Sequence, residues 1–88
     1  MEYTKGSKTY KFPSVILSEI LEITLSKLKG LLDKGKIDVH IYECCYNMYV
    51  SMYEEAIKYQ QVNEMISLLS LVLNLEEFEE YLSHYEQK

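Results

Sequence analysis

Residues 38–59, DVHIYECCYNMYVSMYEEAIKY, decide the architecture. Ile37-Asp38-Val39-His40-Ile41 alternates like a short strand, but the pattern that follows keeps helical spacing for more than five turns. Asp38 stands just ahead of it, and its short carboxylate suits an N-cap. The stretch therefore reads as a helix running to about Tyr59 or Gln61. At about 100° per residue it presents two adjoining apolar faces. Ile41, Cys45, Met48, Met52, Ala56 and Tyr59 form one; Tyr42, Tyr46, Tyr49 and Tyr53 form the other, with Val50 and Ile57 beside them. Together they span roughly 200° of arc, where a helix covering one side of a core needs about 100°.

Upstream, Val15 to Asp33 is helical, with Leu17, Leu21, Leu28 and Leu32 on one stripe and Ile16, Ile20 and Ile23 beside it. Ser14 after Pro13 is the expected cap, and Lys34-Gly35 the stop. The first twelve residues lack helical periodicity. Gly6-Ser7 between two Tyr/Thr/Lys segments fits a type II′ hairpin turn, with a flexible tail as the alternative. Downstream, Asn63 is the expected cap of a third helix through Leu73. That helix is apolar on nearly all sides except Ser67, Ser70 and Asn74. Asn74 followed by Glu77 resembles a capping box, which predicts a separate last helix to about Tyr85; one continuous helix over 64–86 is the other reading. The expected fold is an all-α bundle of three or four helices (residues 14–88) preceded by a tail or short β-hairpin (residues 1–13).

Eighty-eight residues make one hydrophobic core at most, and a core this small leaves a thin margin over conformational entropy. Disulfides do not supply the deficit, because the only cysteines, Cys44 and Cys45, are neighbours and close no loop. Oligomerisation is then the natural remedy. Nine tyrosines and no tryptophan fit that remedy, since tyrosine tolerates a boundary that is sometimes wet and sometimes covered. The predicted interface comprises Tyr42, Tyr46, Tyr49, Tyr53 and Ile57, or the surplus face of the third helix through Leu68, Leu71 and Leu75. The alternative is that the tyrosines line the rim of a compact monomer, their hydroxyls in water.

The net charge of −5 is unevenly placed. Residues 1–36 carry seven lysines against four acids, a net of +3, while residues 37–88 carry two lysines against ten acids, a net of −8. No arginine is present, which argues against sequence-specific DNA reading and bidentate phosphate gripping. The opening segment has no apolar leader, and the run Met65–Leu75 falls short of the roughly 20 apolar residues of a membrane span. With no disulfide framework, a cytoplasmic setting is expected. The acidic helix at 76–86 carries the wrong charge for an anionic membrane.

Chemistry finds little support. His40 and Cys44, four apart on a helix, supply two metal ligands where structural zinc uses four. His84 lies far along the chain, so only half-sites meeting in the fold or across a dimer would complete a set. The two cysteines sit away from a helix N-terminus that would activate a thiolate. Gly6, Gly30 and Gly35 form no phosphate-cradling loop. No catalytic, cofactor or metal site is expected. The expected function is a non-enzymatic protein-interaction module, homodimeric and regulatory or adaptor-like. The alternative is a small acidic inhibitor, of the immunity-protein or antitoxin kind, neutralising a basic partner.

Overall fold

A computed structural model describes residues 1–87 as a hairpin followed by four helices: β1 (Glu2–Lys5), β2 (Lys8–Lys11), α1 (Ile16–Asp33), α2 (Val39–Tyr59), α3 (Asn63–Val72) and α4 (Leu75–Ser83). Single residues set most of the boundaries. Asp38 caps α2 as expected, its Oδ1 accepting from the Ile41 amide at 2.8 Å. Gly35, at φ +72°, closes α1: the Gly35 amide donates to the Leu32 carbonyl and the Lys36 amide to that of Leu31. Gln60 closes α2 in the same left-handed conformation at φ 52°, and its side-chain amide donates to the Ile57 carbonyl at 2.8 Å. The α3–α4 corner is a break: Leu73 and Asn74 are extended, and Asn74 and Glu77 form the reciprocal capping box. The continuous-helix reading of 64–86 falls there.

Two expected caps are not used. The Ile16 and Leu17 amides already donate to the Pro13 and Ser14 carbonyls, so the Ser14 hydroxyl has no orphan to satisfy. Asn63 is the first residue of α3, not its cap; Val62 takes that place because its side chain, 1% exposed, is drawn into the core.

The N-terminal segment is the hairpin, turned at Gly6 (φ 62°), with Tyr3 opposite Tyr10. It is tied down from both chain ends. The Met1 ammonium donates to the Phe12 carbonyl at 2.8 Å, and the C-terminal strand-like tail pairs along β2 through Tyr10 and Glu86. Tyr10 and Phe12 are buried with Ile16 and Ile20, so the hairpin shares one core with the helices. That shared burial explains its order: two strands alone are marginal, but two strands with an apolar face on helices are not.

Helix lengths place the rest. The first half of α1 packs with the last turns of α2, making an antiparallel pair. At about 1.5 Å per residue, the 10-residue α3 covers about 15 Å of partners that run roughly twice that far. The main cluster, with Ile16, Ile20, Ala56, Met65, Ile66, Leu69, Phe78 and Leu82, gathers where the hairpin, α3 and α4 converge. Towards the α1–α2 turn only Leu28, Tyr49 and Leu68 form a second, smaller cluster. That end has less cover.

Candidate functional site

The apolar arc of α2 determines what the open end presents. Tyr49 and Ala56 are buried at the middle of the arc, with Tyr42, Cys45, Met52 and Tyr53 half-buried around them. The excess emerges on both sides: Ile41, Met48 and Tyr59 along one flank, Val39, Tyr46 and Ile57 along the other, each at least 40% exposed. Neither of the two faces packs as a unit. The core instead takes the bisector of the arc, because a central orientation buries the most apolar surface against two neighbours at once.

The eight residues expected at an interface therefore separate. Tyr49 (9% exposed) and Leu68 (1%) pack together with Leu28 and belong to the core, a correction to their expected place on a binding face. Tyr42 packs beside that cluster and Tyr53 beside the larger one, both half-buried. Tyr46, Ile57, Leu71 and Leu75 are exposed, the last two at 81% and 68%. Rings of Tyr42 and Tyr46 contact each other at 6.0 Å between centroids. Burial, and then the neighbouring Cys45, push the Tyr49 hydroxyl above its ordinary pKa.

Leu71 and Leu75 sit on either side of the Leu73–Asn74 corner, where α3 stops short of the end of α1. Between those two helix ends lies a groove of about 390 Å³. Buried Leu28 and Tyr49 and exposed Leu31 and Leu71 line it, together with the stems of Lys27 and Lys34. Gly30 lines it as well, and a side-chain carbon there would meet no atom within 4 Å. Glycine inside a helix costs about 0.5–1 kcal/mol relative to alanine, and nothing inside this chain asks for it. None of Gly30, Leu31, Val39 and Met48 was among the residues expected at an interface. Taking the centre of the α2 arc as the core direction would have flagged Val39 and Met48, whereas the groove follows from relative helix lengths.

The remaining polar groups are dispersed. His40 Nε2 and Cys44 Sγ lie 4.0 Å apart on the exposed side of α2. Among the described residues no group of three or more His, Cys, Asp or Glu is placed to hold a metal. His84 lines a separate depression with Ile23, Glu80 and Tyr81. A larger concavity, about 440 Å³, opens beneath the hairpin turn, bounded by Lys5, Lys8, Glu79 and Glu86, with Lys8 and Glu86 paired at 3.4 Å. It contains no histidine or cysteine to act on a substrate. The Tyr81 hydroxyl is buried, and among the described residues nothing lies in hydrogen-bonding geometry to it. Burial first, then Tyr85 and Glu19 nearby, raise its pKa well above the ordinary tyrosine value.

Among the described residues no helix is long and apolar enough to cross a membrane. No protein-family model, curated protein or solved structure matches the chain.

Proposed function

We propose that this protein is a non-enzymatic interaction module that associates with itself through apolar surface its own chain leaves open. The observation that carries this reading is the exposure of Leu71 and Leu75, at 81% and 68%, while Val39, Ile41, Tyr46 and Met48 are also exposed, on the two flanks of α2. Single exposed apolar residues are ordinary, but patches shared between adjoining elements mark contact sites. A two-fold dimer is the simplest closed arrangement. Sedimentation equilibrium at high micromolar concentration tests it. The expected mass exceeds the 10.4 kDa of one chain, and a strictly monomeric protein would remove the reading.

A second reading has its own observation. Glu54, Glu55, Glu76, Glu79 and Glu80 are exposed, and among the described residues none of them forms an ion pair. Such a surface suits a small acidic inhibitor of a basic protein. The partner separates the two readings. Self-association raises the mass of the protein alone, whereas the inhibitor reading needs a basic partner protein and leaves the protein alone a monomer, its affinity for that partner falling steeply as salt rises.

A further inference from the structure

We infer that the groove between the ends of α1 and α3 receives the Leu71–Leu75 corner of a second copy of this chain, making a two-fold dimer in which each copy fills the other's groove. This inference rests on the self-association reading and specifies its site. Charge complementarity selects the occupant. The groove carries Lys27 and Lys34 at its edges, with Lys36 exposed just beyond. Lys27 pairs with Glu77 of its own chain at 3.9 Å, which leaves Lys34, without an ion pair among the described residues, as the groove's unmatched cation. The corner carries the opposite sign. Leu75 is followed directly by Glu76 and Glu77, and Glu76 is exposed without a pairing cation among the described residues. One surface thus offers an apolar slot with basic edges and, next to it, an apolar knuckle with acidic edges. A surface that carries both halves of a match on itself is what an isologous contact requires.

Gly30 gives the slot its depth. A side-chain carbon at Gly30 would meet no atom from beyond its neighbours and the local helix backbone within 4 Å, so the backbone there stands open to an incoming leucine. Leu71 stands at the shared boundary of slot and knuckle, so in a two-fold arrangement it lies close to the axis.

The experiment is sedimentation equilibrium of the wild type and four variants, with helicity followed by far-ultraviolet circular dichroism. Leu71→Glu alters a side chain that is 81% exposed, so the fold is retained. Dimer dissociation is expected to strengthen at least about 30-fold, as for loss of a central interface residue. Lys34→Glu weakens association by about tenfold, and the double variant Lys34→Glu, Glu76→Lys restores it by exchanging the charges across both symmetric contacts. Gly30→Ala raises the thermal midpoint of the isolated subunit while weakening the dimer, two effects of opposite sign that a purely structural glycine would not produce. A wild type that dimerises with all four variants dimerising equally would overturn this site and leave self-association to the flanks of α2. A monomeric wild type overturns both.

Discussion

The two ends of the α1–α2 pair differ in how thoroughly the chain covers them. At one end twelve residues form the buried cluster, because hairpin, α3, α4 and the C-terminal tail all converge on it. At the other, three residues do so, with only Leu68 of α3 reaching in. The apolar supply is not what differs, since Leu31, Val39, Ile41, Tyr46 and Met48 crowd the open end and stay at least 39% exposed. What differs is the number of elements within reach. A short chain that spends its extra segments on one end leaves apolar side chains unmatched at the other, and a second copy is the nearest source of cover.

The sharpest way to break this contrast is truncation at each end. Phe12→Ala, in the covered cluster, is expected to lose about 3–5 kcal/mol of stability in urea denaturation. Ile41→Ala at the open end should stay within about 0.5 kcal/mol at concentrations low enough to keep the protein monomeric. Equal losses would mean that the two ends are equally packed. Within the tyrosine ladder the same comparison runs between neighbours. Tyr49→Ala should lose about 2–4 kcal/mol while Tyr46→Ala costs under about 1 kcal/mol. A reversed order would place the ladder's outward face where the core is drawn.

The corner between the two regions is held by a cap. Asn74→Ala removes the acceptor of the Glu77 amide and is expected to cost about 1 kcal/mol. It should also weaken self-association, since it loosens the segment that presents Leu71 and Leu75. Unchanged association in a destabilised variant would detach the corner from the interface. The smallest effect concerns a flaw in the covered end. Tyr81 holds its proton more tightly in the folded chain than in the unfolded one, so its contribution is present below about pH 10 and is lost as pH rises beyond that. Tyr81→Phe should flatten that alkaline loss. Among the described residues nothing lies in bonding geometry at that buried hydroxyl, so at neutral pH the variant should also add about 0.5–1 kcal/mol. A destabilised phenylalanine variant would show that the nearby Glu19 carboxylate accepts from it.

Much of the framework was legible in the residues. Asp38, Gly35 and the Asn74–Glu77 pair each act through bonds two to five residues away, so they announce α2, the end of α1 and the α3–α4 break without reference to anything distant. The two missed caps, Ser14 and Asn63, failed for a tertiary reason in one case and a backbone one in the other: Val62 is pulled into the core, and carbonyls reached the α1 amides first. For the candidate surface the amount of surplus was readable and its location was not. A helical wheel counts apolar arc, but Tyr49 and Tyr46 sit on the same stripe and have opposite fates.

By itself, then, the sequence determined the helix boundaries that rest on local hydrogen bonds, the possibility of a hairpin at Gly6, and an apolar arc too wide for one side of a core. Only the tertiary structure decided that the hairpin is anchored, that Tyr49 and Leu68 face inward, and that Gly30, Leu31 and Leu71 border a single groove. The physical reason is range. Caps and turns are settled by neighbours along the chain, whereas the direction in which a two-faced helix turns depends on the lengths and positions of helices many residues away.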